Sequence, residues 1–460
     1  MIGQIRKIVA VAAGKWIRMA SRMAGRQGSD LPGKIALRID PNLLRELADC
    51  VQGDIFMVAG TNGKTTTSNM IASVFREQGL YYVHNQIGAN MLTGITTAFI
   101  EKTNWRGNRT FDTAVLETDE AYVPIVFQHL HPRRLLITNF FRDQLDRYGE
   151  IDLIIERIRQ AVASHQVELL LNADDPLVVD FAEKAGQKSL YYGFAETDYD
   201  TVFSNGNREG RYCVRCGAQL HYHCYHYAQL GKYECPVCGA KNPPCDYVAD
   251  QLDLHEGVEM EVNGIVLQSP YEGFYNAYNL LAAVALTKSA GYEDEVIERA
   301  LNHFQPQQGR MESFHIQGKE PVLILVKNPA GFEQVLMLLQ NHPQKKRVFL
   351  VLNDNTQDGH DVSWIWDVGV ETIFQNDMAQ IQQLVCGGLR SGDMAVRMKY
   401  AGFDTERIEL ADSLENGIRR ILQNEDTEEM AYYVICNYTA LAPCRSILVK
   451  MQEQGGKAVC

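Results

Sequence analysis

The chain has 460 residues, 46% of them hydrophobic and 22% charged, and its 44 Lys and Arg against 57 Asp and Glu give a formal charge of −13. That balance excludes a disordered, collagenous or membrane-spanning chain and argues against a surface built mainly to coat nucleic acid. The length suits about three units, each burying its own core. Eleven cysteines, five of them between residues 213 and 238, read as metal ligation in a reducing cytosol rather than as a disulfide frame.

Residues 1–45 open with a basic amphipathic helix pattern. Arg6, Lys7, Lys15, Arg18, Arg22 and Arg26 occur with no acid among Ile5, Ile8, Val9, Trp16, Ile17, Met19 and Met23. Its longest apolar run, from Ile8 to Ala13, is far short of the roughly 18 to 20 residues of a membrane span. Two readings stay open: a helix packed on its own domain, or peripheral contact with an anionic membrane surface. No later segment is long and apolar enough to span a bilayer, so the expected location is the cytoplasm, at the inner face of the membrane in the second reading.

From about residue 45 strand and helix signals alternate, which predicts an α/β chain with parallel sheets. The run from Asp54 to Ala59 reads as a buried strand that leads into Gly60-Thr61-Asn62-Gly63-Lys64-Thr65-Thr66 and then a helical pattern. This is the setting of a phosphate loop, in which glycines let backbone N–H groups converge on phosphate oxygens at a helix N-terminus. Lys64 is placed to hold the β and γ phosphates and the Thr65 hydroxyl to bind Mg²⁺. The first glycine of the general pattern is absent, Val58 standing in its place. Further strand-like runs cover Thr113 to Leu116, Arg134 to Thr138 and Glu168 to Leu171.

Between 206 and 246 the composition changes to Cys, His, Tyr and Gly, an inserted unit. Cys213-x-x-Cys216 and Cys235-x-x-Cys238, each followed by glycine, have the spacing of a closed four-thiolate Zn²⁺ site with a structural role. His221, His223, Cys224 and His226 are alternative ligands, and the insert lacks the dense basic face of a nucleic-acid binder. The α/β pattern resumes near Gly273, and a linker at 305–309 leads to a last alternating segment.

The phosphate loop without its first glycine resembles the Mur ligase family, which includes the folylpolyglutamate synthetases and joins a carboxylate to an amine through an acyl phosphate made from ATP. Other segments agree in order. Glu117, in Val115-Leu-Glu-Thr-Asp-Glu120, matches the family's Mg²⁺-binding glutamate; Asn276, in Gly273-Phe-Tyr-Asn-Ala-Tyr-Asn279, its base-contacting asparagine; Arg310, its linker arginine on the γ phosphate. Leu171-Asn-Ala-Asp-Asp175 matches the strand end that closes the nucleotide domain. Thr138-Asn139 and Asp143-Gln144-Leu145-Asp146 match a segment that normally carries His where Gln144 stands. The lysine that relatives carbamylate beside a second Mg²⁺ has no clear counterpart, and the loop at residue 60 leaves no room ahead of it for the substrate domain of relatives that use nucleotide-linked precursors.

The last segment narrows the resemblance. Lys327-Asn-Pro-Ala-Gly331, the run from Asn353 to Asp367 and Asn437-Tyr-Thr439 resemble the MurT family, the ligase-like subunits of lipid II isoglutaminyl synthases. The implied architecture is an N-terminal helix region (1–45), a Mur ligase-like central P-loop ATPase domain with a parallel sheet and an inserted Cys₄ zinc ribbon (46–308), and a C-terminal α/β, Rossmann-like domain (309–460). The implied function is ATP- and Mg²⁺-dependent amidation of the D-glutamate α-carboxylate of the lipid II stem peptide, with ammonia delivered by a separate glutaminase subunit, GatD. The resemblance also assigns Asp361 the task of completing that subunit's Cys-His pair. Independently, no cysteine outside the zinc set sits in a nucleophile elbow, so glutamine hydrolysis needs a second protein. Two other readings remain: an amino-acid-adding ligase of the folylpolyglutamate type, and a non-catalytic ATP-binding scaffold.

Overall fold

The computed structural model describes residues 2–23, 28–86, 89–141, 151–178, 180–202, 209–305, 311–371, 380–423 and 429–457. The first sheet contains β1 (Ile55–Ala59), β2 (Tyr82–His84), β3 (Thr113–Glu117), β4 (Arg134–Ile137), β5 (Glu168–Asn172) and β6 (Ser189–Phe194). After the hairpin β7 (His221–Tyr227) and β8 (Leu230–Glu234), β9 (Tyr247–Asp253), β10 (Val258–Val262) and β11 (Ile265–Ser269) complete it. Its order is β11-β10-β9-β6-β5-β4-β1-β3-β2, parallel from β2 to β9 and antiparallel across β9, β10 and β11. All five residues of β1 and of β3 are buried, as expected of parallel strands covered on both faces.

The helices supply those covers. One core packs β1, β3, β4 and β5 against the helices Leu31–Ile39, Leu92–Lys102 and Ile151–Ala163; the other packs the opposite face against Lys64–Glu77, Phe274–Ser289 and Asp294–Asn302. A second sheet joins β12 (Glu312–Ser313), β13 (Pro321–Leu325), β14 (Lys345–Val351), β15 (Ile381–Gly387), β16 (Ile408–Leu410) and β17 (Met430–Cys436) in the order β12-β13-β17-β14-β15-β16. All its pairings except β12 with β13 are parallel, and it too has a core on each face.

The amphipathic pattern at the start of the chain is a helix, Ile2–Met23, that rests on the helices Leu31–Ile39 and Leu92–Lys102. Those two helices pack closely on each other through a small residue: Gly33 donates its N–H to Thr97 Oγ1 at 2.9 Å, and a Cβ at Gly33 would stand 1.9 Å from the Thr93 carbonyl oxygen. Backbone cannot yield as a side chain can. Gly33→Ala is therefore expected to force the two helices apart and cost about 1–3 kcal/mol, read as a lower urea midpoint; an unchanged midpoint would show that the helices slide freely.

Candidate active site

β1 is flanked by β3 on one side and β4 on the other, so the sheet order reverses at its carboxyl end, where open α/β sheets bind ligands. The loop that leaves β1 there is the phosphate loop. Gly60 and Gly63 take φ of 118° and 86°. A Cβ at Gly60 would fall 2.4 Å from Thr138 Oγ1, and one at Gly63 would fall 2.2 Å from Asn279 Oδ1, so both positions demand glycine twice over. The loop is held from β4: Thr61 N–H donates to Asn139 O at 2.9 Å, Asn62 N–H to Asn139 Oδ1 at 3.0 Å, and Thr138 Oγ1 to Asn62 O at 2.7 Å.

Lys64, Thr65 and Thr66 are buried in the first turn of the following helix. The Lys64 ammonium donates to Glu120 Oε2 at 2.9 Å, to Thr61 O at 3.0 Å and to Gly60 O. Burial alone would lower its pKa, but the charges of Glu120, Asp119 and Glu117 outweigh burial and raise it. Glu117 ends β3 opposite Val58, its N–H held by Asn85 Oδ1 at 2.8 Å and its Oε1 accepting from Asn90 Nδ2 at 3.1 Å. Its other oxygen, Oε2, is buried with no hydrogen-bond partner among the described residues. A carboxylate oxygen buried this way fits a cation partner, and a hard oxygen donor beside a phosphate loop suits Mg²⁺. Glu117→Gln should weaken Mg-nucleotide binding about tenfold or more while leaving affinity in EDTA unchanged, measured by titration calorimetry; equal losses under both conditions would refute the metal role.

Beside the loop lies a cavity lined by Asn62, Gly63 and Thr66, by Tyr275, Asn276 and Asn279 of the helix Phe274–Ser289, and by residues of β13 and the helix Pro329–Asn341. Asn276 accepts from Asn279 Nδ2 at 3.1 Å and donates to Glu272 O at 2.8 Å, which fixes both amides at the cavity wall. Across it Asn328, the N-cap of the helix Pro329–Asn341, donates to Asn62 Oδ1 at 2.9 Å, tying the second sheet to the phosphate loop. Arg310, like Gln144 and its neighbours, lies outside the described residues.

The cysteine-rich insert is not a separate appendage. Its hairpin docks on the ends of β5 through Lys232 Nζ to Asp174 Oδ1 at 2.7 Å, Asn242 Nδ2 to Ala173 O at 2.9 Å and Gln229 Nε2 to Asp175 Oδ1 at 3.1 Å. Tyr227 from the hairpin lines the cavity itself. Burial pushes the Asp175 carboxyl up to about 6, against the pull of the Phe140 and Leu177 N–H groups. At the far end Cys213, Cys216, Cys235 and Cys238 bring four sulfurs within 4.8 Å of one another, with Cys213 to Cys238 and Cys216 to Cys235 at 3.5 Å. A tetrahedron with Zn–S bonds of about 2.3 Å has S–S edges of about 3.8 Å, so the cluster fits a zinc ion and is far too open for disulfides. Gly217 and Gly239 turn at φ 73° and 71° as the two knuckles close, each N–H bonding back to the carbonyl of the first cysteine of its pair. Purified protein is expected to carry one zinc per chain by mass spectrometry, and Cys216→Ser to lose it and to speed amide exchange in the hairpin; full protection in the metal-free variant would count against a structural ion.

In the C-terminal segment, the loop after β14 divides its aspartates. Asp358 is buried, accepting from Thr439 N–H at 2.9 Å and from the Thr439 hydroxyl, while Asp354 pairs with Arg390 at 3.1 Å. Asn353 and Asn437 join the same network, with Asn437 Nδ2 donating to Asn353 O at 2.7 Å. Asp361 stands apart on the exposed side of the loop, where its Oδ1 accepts from Ser363 N–H at 2.8 Å. The geometry thus sets Lys64, Thr65 and Thr66 in the first turn after the phosphate loop with Glu117 acting on Lys64, puts Thr66 and Asn276 on the wall of the adjoining cavity, and leaves Asp361 exposed. Glu120, Asn85, Asn90 and Asn328 join these groups without any role having been read for them in the sequence.

Two family profiles match the chain, the Mur ligase middle domain over residues 58–287 and the MurT ligase C-terminal domain over residues 325–441. A protein of Staphylococcus aureus (strain COL) named lipid II isoglutaminyl synthase (glutamine-hydrolyzing) subunit MurT is 35% identical over 98% of this chain and 100% of its own length. Its counterpart of the same name in Streptococcus pneumoniae is 34% identical over 97% of this chain and 98% of its own. Among solved structures, a pseudomurein peptide ligase type C from Methanothermus fervidus shares the fold with a TM-score of 0.67 at 23% identity, covering 87% of this chain and 79% of its own. On these matches, the chain belongs to the MurT family of Mur ligase-fold proteins.

Proposed function

We propose that this chain uses ATP to amidate the D-glutamate α-carboxylate of the lipid II stem peptide, giving D-isoglutamine, with ammonia from a glutaminase subunit of the GatD type. The observation that carries the reading is the unpartnered Glu117 oxygen beside the buried Lys64, in a chain whose relatives are named as subunits of that synthase. The substrate carboxylate attacks the γ phosphorus of ATP, ADP leaves, and ammonia then attacks the acyl carbon, expelling phosphate and losing a proton. Lys64 exchanges Glu120 for phosphate oxygens and offsets the charge that gathers on the transferred group. Thr65 and Glu117 would hold Mg²⁺, which would supply further charge neutralisation there. Gly60, Thr61, Asn62, Gly63 and Thr66 cradle the phosphates, Asn276 meets the base, and the resemblance to the family gives Arg310 the γ phosphate.

Zinc on the four cysteines braces the hairpin whose Tyr227 walls the nucleotide cavity. The second sheet, in the domain read as 309–460, meets the phosphate loop through the Asn328–Asn62 hydrogen bond. Asp361, exposed beside the C-terminal edge of the second sheet, suits a group that acts outside its own chain: a carboxylate accepting from imidazole fixes the tautomer and stabilises the imidazolium.

The test is amidation of lipid II with ammonium chloride or glutamine, with and without the glutaminase subunit. Ammonium should suffice for the chain alone, and glutamine should work only with the partner present. Asp361→Asn should keep the ammonium rate and lower the glutamine rate by about 10²–10⁴-fold. Product formed from a free amino acid without ammonia would favour the folylpolyglutamate type of ligase, and nucleotide binding without turnover would favour a scaffold.

A further inference from the structure

The helix Ile2–Met23 is packed the opposite way from an ordinary amphipathic surface helix. Its buried face is narrow and small: Ala10, Val11 and Gly14, the last so close to the helix Leu92–Lys102 that a Cβ there would stand 2.9 Å from Ile100 Cδ1. All its large apolar side chains among the described ones but Val11 and the half-buried Ile17 face outward. Ile5, Ile8, Val9, Trp16, Met19 and Met23 are between 40% and 83% exposed. At 100° per residue all six fall in one arc of about 100°, and from Ile5 to Met23 the stripe runs about 27 Å at 1.5 Å per residue. Trp105, 53% exposed, extends it sideways, its ring 6.2 Å from that of Trp16, and the exposed Arg106 and Arg109 flank it.

A contiguous apolar patch of this length on a protein surface marks an interaction site. Charge selects the occupant. The helix carries Arg6, Lys7, Lys15, Arg18 and Arg22 and no acid, in a chain whose net charge is −13. Glu46 and Glu101 pair with Lys7, Arg18 and Arg22, which pins those cations along the base of the stripe and leaves the local balance positive. Lys15 lies over the Trp105 ring, with its ammonium 5.8 Å from the centroid. A second copy of the chain would meet the stripe through a two-fold contact that sets one basic helix against another. An anionic lipid surface instead takes the indole rings and aliphatic side chains into the headgroup boundary and attracts the flanking cations.

We propose that the outer face of the helix Ile2–Met23, together with Trp105, docks the protein on an anionic membrane leaflet. The proposal rests on the reading above for the use of a lipid-linked substrate; the docking itself requires neither ATP nor turnover. The test uses the full chain, alone and with its glutaminase partner, sedimented with vesicles of phosphatidylglycerol and phosphatidylethanolamine or of phosphatidylcholine, without nucleotide or lipid II. Binding should be about tenfold or more tighter on the anionic vesicles, weaken in high salt, and fall about tenfold or more in the double variant Trp16→Glu, Met19→Glu. Both positions are exposed, so the thermal midpoint of the double variant should stay that of the native chain. Brominated lipids should quench the native tryptophan fluorescence, with the effect reduced in Trp16→Phe. No vesicle binding by the native chain, or equal binding by the double variant, would overturn the proposal. So would a native dimer that the double variant dissociates without any vesicle binding, which would make a second copy the occupant. Docking without amidation sinks the functional reading alone; amidation of detergent-dispersed lipid II without docking sinks this proposal alone.

Discussion

The buried contact of Lys64 with Glu120 is the constraint around which the phosphate-loop end of the sheet is arranged. An ammonium removed from water is costly unless a carboxylate stands within hydrogen-bond reach, and removing one partner of such a pair is costlier still. Here the acids Glu117, Asp119 and Glu120 come from the end of β3 and the turn after it, and they reach Lys64 only because β3 pairs with β1 in the register that sets Glu117 beside Val58. The sheet order therefore fixes the electrostatics of the loop. The same excess of negative charge makes the cleft a poor place for a phosphate without a metal, since three carboxylates surround one lysine.

Around that pair, three separate stretches of chain converge on one cavity. The helix Phe274–Ser289 brings Asn276 and Asn279, the hairpin brings Tyr227, and the helix Pro329–Asn341 brings its N-cap Asn328 to Asn62. Each is held by polar groups at a strand end, where backbone donors and acceptors leave the sheet and need new partners. Asp174 shows the economy of this: buried at the end of β5, it accepts from Lys232, from Phe194 N–H and from the Tyr278 hydroxyl, joining the hairpin, the sheet and the nucleotide helix at one carboxylate. The hairpin thus links the four-cysteine cluster to the cavity beside the phosphate loop.

What was legible in the sequence is what depends on local chemistry. A strand, two glycines, a lysine and a helix in immediate succession state the phosphate loop, and each Cys-x-x-Cys pair states a knuckle, because each of these is closed by residues a few positions apart. The parallel strands were legible as short apolar runs for the same reason. Asn328 to Asn62 spans 266 residues, and nothing in either segment names the other. Glu117 and Glu120 sit in one motif, from which the resemblance picked out Glu117 for the metal; that the turn sets Glu120 on Lys64 while Glu117 Oε2 is buried without a partner among the described residues is a matter of three-dimensional placement that the motif does not state. For the first helix the periodicity was plain but its sense was not. Apolar periodicity ordinarily names the buried face, yet here close approach to the helix Leu92–Lys102 selects the side with Ala10, Val11 and Gly14, and the bulky residues are excluded from it.

That inverted packing has a geometric consequence for a lipid-linked substrate. Asn90, which donates to Glu117 Oε1, immediately precedes the residues that start the helix Leu92–Lys102. The other end of that helix carries Glu101, which pairs with Arg18 and Arg22, and leads after three residues to Trp105 at the rim of the exposed stripe. Eleven helical residues span about 16 Å, so one rigid rod separates the carboxylate proposed to hold Mg²⁺ from the surface proposed to meet the membrane. In the reaction proposed above, a stem peptide leaves its lipid at the headgroup boundary and has to bring an interior carboxylate to the phosphate loop. A flexible connection between the two surfaces would let that distance drift, whereas a buried helix, closed at one end by Asn90 and at the other by an ion pair, fixes it.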